Sequence, residues 1–217
     1  MQRFSTSDPD DRTRGLLAAA TALRRGQLVG LPLDASYGVA ADAFSDRGVA
    51  ALRAAKGRPD LAVPVMVPRI STVAGIARVG PTARALMAAF WPGALTLVLT
   101  AQPTLTWSVS VAGRVAVRMP LHPVALELLA RSGPLGVVGG ATPGAVEPDA
   151  AFPPDLADAL AVVLDGGALE PAPPSAVIDL TGDAPVLVRA GAFDPADLLA
   201  ICPQLVVPQR SAQDPAP

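Results

Sequence analysis

The 217-residue chain has no asparagine and only one cysteine, one histidine, one tyrosine and one lysine. A lone cysteine, Cys202, excludes an internal disulfide and fits a reducing cytosol. Without paired cysteines or an H-E-x-x-H segment, neither a structural zinc site nor a zincin is supported. Aromatics are scarce at 4% and charged residues at 17%, yet hydrophobic residues reach 51%, enough for an aliphatic core and too much for wholesale disorder. Long apolar runs are missing too. Every stretch long enough to span a bilayer is broken by Arg, Asp, Pro or Gly, so no membrane association is expected. The opening MQRFSTSDPDDRTR has no basic-then-apolar pattern, which predicts a cytoplasmic protein. A net charge of −2 gives no overall electrostatic case for nucleic acid or membrane.

What the chain has instead is arginine, sixteen of them against the single Lys56. A composition biased toward arginine should convert any lysine that arginine can replace. A compact point charge cannot be exchanged for a planar fork where geometry matters, so the survivor marks a candidate site.

Apolar spacing predicts a helix over 11–26 and a strand over 28–33 that runs into the turn DASYG. A second helix is read over 45–55 with Ser45 as its N-cap, then a strand over 63–67 and helices over 71–78 and 81–90. Strands follow at 94–100, in WSVSV (107–111) and at 114–119. Next come a helix over 122–131, a buried strand through GPLGVVGG (133–140) and a short helix at 154–160. Three late strands (161–165, 175–180 and 186–190) and a helix over 194–201 complete the pass. The alternation predicts one α/β domain over 11–201 with a mixed sheet, flanked by flexible tails at 1–10 and 207–217.

Standard catalytic signatures are missing. No G-x-x-x-x-G-K-[ST] and no G-x-S-x-G occurs. Gly139 and Gly140 read either as a strand-end turn or as a place where a ligand approaches the backbone. In KGRP, Lys56 and Arg58 suit a polyphosphate, as point charge and bidentate fork, or simply cap a helix C-terminus. His122 reads as a residue leading into a helix. Asp34 and Asp165 read as turn residues, with magnesium binding the alternative for Asp34, and Cys202 reads as packing.

Taken together, PLDASYG, KGRP, WPGALTLVL, VAVRMPLHP, LDGG, SAVIDL and LVRAGAF occur in order between about Gly26 and Phe193. In this the chain resembles the YrdC-like threonylcarbamoyl-adenylate synthases. The resemblance implies an open, twisted mixed α/β sheet with flanking helices around a concave cavity. It also implies a nucleotidyltransferase that makes threonylcarbamoyl-AMP and pyrophosphate from ATP, L-threonine and bicarbonate for tRNA modification. Magnesium would be held mainly by the phosphates, with no protein metal site, and RNA or tRNA-modification proteins are implied as further partners. By the same resemblance Lys56 and Arg58 are the catalytic pair that holds the phosphates. Arg118 and Arg189 face anionic ligand groups, while Tyr37 and Ser175 position nucleotide or amino acid. Trp91, Pro92 and Gly93 are architectural.

This sequence departs from the family at polar positions. The family's P-T-D-T-V-Y-G is Pro32 to Gly38 here, both threonines are replaced, and Ser36 supplies the nearest hydroxyl. The family's S-A-N falls on Gly139, Gly140 and Ala141, where exposed backbone amides or ordered water would recover part of the lost ligand contacts. The residues therefore leave two other readings open: a paralogue that binds nucleotide or RNA without efficient catalysis, and an enzyme using another small amine or acid.

Overall fold

The computed structural model describes residues 1–208. In chain order the elements are β1 (Gln2–Ser5), α1 (Pro9–Arg24), β2 (Leu28–Pro32), β3 (Tyr37–Asp42), α2 (Asp46–Ala55) and β4 (Val65–Met66). These are followed by α3 (Ile70–Ile76), α4 (Pro81–Phe90), β5 (Leu95–Thr100), β6 (Arg114–Arg118), α5 (Pro123–Ser132) and β7 (Leu135–Gly139). Last come α6 (Pro148–Ala151), α7 (Pro154–Ala157), β8 (Leu160–Asp165), β9 (Ala176–Asp179), β10 (Val186–Arg189) and α8 (Pro195–Ile201).

The strands form a single ten-stranded sheet in the order β1-β8-β2-β3-β7-β4-β6-β5-β9-β10. The sheet is mixed, as expected: β2 runs parallel to β8 and antiparallel to β3, while β4 is parallel to β6 and antiparallel to β7. Side chains alternate across it. On one face Leu16, Leu23, Leu128 and Leu129 of α1 and α5 pack on Val29, Leu31 and Ala40. On the other, Val49 and Leu52 of α2 with Leu86 and Met87 of α4 pack on Val39, Ala41 and Leu97. Each such leucine, buried to 0–1% exposure, contributes about 1.5–3 kcal/mol by leaving water. Helix starts are set by local chemistry. The Asp8 carboxylate accepts from Asp11 N, Ser45 Oγ from Gly48 N and the Asp194 carboxylate from Ala196 N, each ahead of a helix.

Three expectations need correction. Residues 1–10 are not a loose tail: Gln2–Ser5 pair in parallel with Val162–Asp165, and Arg3 forms ion pairs with Asp149 and Asp165. A polar strand on a sheet edge needs no apolar pattern, so composition concealed it. The strand read in WSVSV is instead a turn-rich loop in which Trp107 stacks on Phe44 with ring centroids 5.1 Å apart. Conversely, the DASYG turn expected over 34–38 gives way at Tyr37 to β3, five of whose six residues are buried. Glycine and alanine there give no β-branched signal. The tail read at 207–217 lies, from residue 209 on, outside the described residues.

Candidate functional site

The ends of β2, β4, β6 and β7 and the starts of β5 and β9 open on a cavity of about 360 Å³. Its walls include Leu33, Met66, Val137 and Val138, and its polar lining is Asp34, Ser36, Thr96, Arg118, Ser175 and Arg189. Gly139 completes the rim, and an added Cβ there would meet no heavy atom within 4 Å.

Arg118 projects from the last residue of β6 because β-alternation sends Val117 into the core and Arg118 to the opposite face. Its Nε donates to Gly93 O at 2.9 Å, and its guanidinium pairs with the Asp34 carboxylate. Both partners are largely shielded, at 13% and 14% side-chain exposure. Burial pulls the Arg118 pKa down, the Asp34 charge opposes this, and the nearby Arg189 adds to the lowering. Asp34 is thus more than a turn residue. It also accepts from Leu121 N (2.9 Å) and His122 N (2.6 Å), tying the start of α5 to the cavity wall. The carboxylate thus serves one guanidinium and two amides, which makes it a tie between β6, the start of α5 and the cavity wall.

On the opposite wall Arg189 grips Ser175 twice, donating from Nε to the carbonyl (2.8 Å) and from Nη2 to Oγ (3.2 Å). Ser175 Oγ in turn lies 3.1 Å from Thr96 Oγ1. Sequence reasoning missed Thr96, although its strand alternation in LTLVLT opposes it to Leu95 and Leu97, both of the core.

The lone lysine approaches the rim from outside. Lys56 is the C-cap of α2, and its Nζ donates to Gly139 O (3.0 Å) and Gly140 O (2.6 Å). Partial burial lowers its pKa, and the charge of Arg58 lowers it further. Lys56 also borders a separate depression of about 300 Å³, shared with Ala55, Ala141 and Asp155. Arg58 is exposed and lines neither cavity. The structure therefore brings Ser36, Arg118, Gly139, Ser175 and Arg189 together and sets Lys56 against the far side of the Gly139 rim.

Two expected contacts change role. The Gly140 amide is not free for a ligand, because it donates to Tyr37 O as the chain leaves β7 beside β3. Both rim glycines offer their carbonyls to Lys56. They also differ in room: at Gly140 a Cβ would sit 2.7 Å from Ala151 O. Gly139→Ser is expected to leave the urea midpoint near wild type, whereas Gly140→Ala should lose about 1–3 kcal/mol through overpacking.

Tyr37 does not line the cavity either. Only 1% exposed, its hydroxyl donates to Gly167 O (2.7 Å) and accepts from Gly166 N (2.8 Å). It thereby fixes the LDGG loop, in which Asp165 accepts from Gly167 N. Burial is the main cause that raises the Tyr37 pKa to about 12. The unfolded phenol ionises near pH 10, so between roughly 10 and 12 the unfolded state sheds a proton that the folded state keeps. Stability should therefore fall with rising pH across that window and be insensitive to this group below it. Urea midpoints at pH 9 and pH 11.5, wild type against Tyr37→Phe, test this; an equal slope in both would refute it.

With this geometry in place, relatives can be compared. The Sua5/YciO/YrdC family model, described as telomere recombination, matches residues 21–191. The chain belongs to that family. A Mycobacterium tuberculosis protein, provisionally named a threonylcarbamoyl-AMP synthase, is 44% identical over 195 residues, covering 88% of this chain and 90% of its own. The Bacillus subtilis protein named threonylcarbamoyl-AMP synthase is 35% identical over 205 residues, 91% of this chain but 58% of that protein. Among solved structures, Pyrococcus abyssi Sua5 complexed with L-threonine superposes with a TM-score of 0.81 at 27% identity, covering 95% of this chain and 62% of that one. Escherichia coli YciO, at TM-score 0.76 and 24% identity, shares the fold. No helix among the described residues is long and apolar enough to cross a membrane.

Proposed function

We propose that this protein is a threonylcarbamoyl-AMP synthase that condenses ATP, L-threonine and bicarbonate. The observation that carries the reading is that two guanidiniums, Arg118 and Arg189, line one cavity whose rim is backed by the lone lysine. The relatives that match most of this chain carry the same activity in their names, which disfavours a non-catalytic nucleotide-binding paralogue.

Threonine's amine and bicarbonate combine to a carbamate with loss of water. A carbamate oxygen then attacks the α-phosphorus of ATP, the bond to the β-phosphate oxygen breaks, and pyrophosphate departs. Such a displacement asks the protein for position and charge more than for covalent chemistry. Arg118, held from behind by Gly93 O and Asp34, keeps N–H groups for a carboxylate or phosphate. Arg189 does the same from the Ser175 side. Lys56 spends two of its three N–H donors on the rim carbonyls and has a third for phosphate oxygen. Magnesium accompanying ATP would be held mainly by phosphate oxygens and water. The activated carbamoyl product would serve transfer to a tRNA adenosine, in a cytosolic setting.

The deciding experiment is pyrophosphate release from ATP by the purified chain, with L-threonine and bicarbonate each omitted in turn. Release that requires both supports the reading. Release indifferent to either one overturns it.

A further inference from the structure

Only two serine or threonine side chains are buried among the described residues, Thr6 and Thr96. Thr6 is accounted for, since its hydroxyl donates to Asp165 O at 3.1 Å. Thr96 is 7% exposed, on β5 with β6 and β9 paired on either side, where valine would pack as well and fit a strand better. A buried hydroxyl needs a partner, and the one within reach is Ser175 Oγ at 3.1 Å, itself part of the cavity wall.

Counting donors shows what this pair offers. A guanidinium only donates, so Ser175 Oγ accepts from Arg189 Nη2. The bond between the two hydroxyls uses one hydrogen, from whichever residue supplies it. Two hydroxyls carry two hydrogens, so one O–H remains undonated among the described residues. Both oxygens belong to cavity-lining residues, and the cations nearest in the lining are Arg189 and Arg118. A spare donor beside two guanidiniums is matched by an anionic oxygen. Among the lining residues the one other hydroxyl is that of Ser36.

We infer that Thr96 is a specificity-determining residue: with Ser175 it forms a polarised hydroxyl pair, directed by Arg189, that donates one hydrogen bond to an anionic oxygen of the bound substrate. The oxygen belongs either to the amino-acid carboxylate or to the nucleotide phosphate, which share this chemistry. This inference rests on the synthase reading for the identity of the ligands, and not for the donor count.

The test uses Thr96→Val, which keeps the branched shape and removes the hydroxyl, and Thr96→Ser, which keeps the hydroxyl and removes the branch. Calorimetric titration with AMP and, separately, with L-threonine measures Kd without turnover, and steady-state pyrophosphate release gives KM for ATP and for L-threonine. Thr96→Val is expected to weaken one of the two ligands by about tenfold or more, the scale of a hydrogen bond to a charged group. Thr96→Ser should stay within about threefold of wild type. A shift confined to L-threonine assigns the carboxylate, and one confined to AMP and ATP assigns the phosphate. A packing role would give the reverse order, with Val tolerated and Ser impaired, and would overturn the inference. Equal affinities in all three proteins, or no binding of either ligand to the wild type, would overturn it as well. If the wild type binds these ligands but releases no pyrophosphate, the synthase reading fails, and the calorimetric order of Val and Ser still decides Thr96.

Discussion

Lys56→Ala is expected to lower pyrophosphate release by about a hundredfold or more, the usual cost of removing one preorganised donor from a developing charge. The side chain also contributes structurally, because its two bonds to Gly139 O and Gly140 O fasten the end of β7 to the C-terminus of α2. Separating the roles requires two measurements. Urea denaturation reads the fastening, whose loss should cost no more than a few kcal/mol at a half-exposed position. Single-turnover kinetics read the chemistry. Lys56→Arg is expected to restore charge without restoring rate, since a flat guanidinium cannot set one nitrogen against both carbonyls and still present a compact third donor. An arginine variant with wild-type kcat would remove the special status of the lysine altogether.

The other large effect belongs to Asp34. Asp34→Ala leaves Arg118 largely shielded, at 13% exposure, with no counter-charge, and it also strips partners from Leu121 N and His122 N. Breaking a buried ion pair from one side typically costs about 3–5 kcal/mol, a third or more of a domain's stability. The expected result is a large drop in urea midpoint, together with weakened binding of any anion that Arg118 holds. Asp34→Asn keeps a carbonyl oxygen for the two amides and should recover part of the midpoint but little of the binding. A midpoint unchanged in Asp34→Ala would mean that the pair contributes no net stability.

Much of the fold could be read from periodicity because its helices are amphipathic and its ends are marked chemically. Ser45 and Asp194 cap the helices that spacing placed after them, and most strands lie within the apolar runs that suggested them. What escaped did so for physical reasons. The pairing of β1 is recorded in a partner some 160 residues away and in two ion pairs of Arg3, neither visible in a local window. Trp107–Val111 alternates like a strand, yet its apolar residues serve a loop packed on Phe44. In the cavity, charge was easier to read than geometry. Lys56 stood out by type, and Arg118, Arg189 and Ser175 followed from the family resemblance, whereas the hydrogen bonding of Tyr37 and the depth of Thr96 depend on neighbours contributed by distant segments. The Asp34–Arg118 pair, 84 positions apart in sequence, is of the same kind.

The edge strand has a consequence for how the chain comes together. β1 touches the sheet only through β8, and β8 also supplies one flank of β2. During synthesis, residues 2–5 and one side of β2 therefore wait without partners until residues 160–165 have emerged. Contacts of such long sequence separation close slowly and late. β1 therefore docks long after it is made, and until β8 emerges the growing polypeptide carries an open sheet edge along β2.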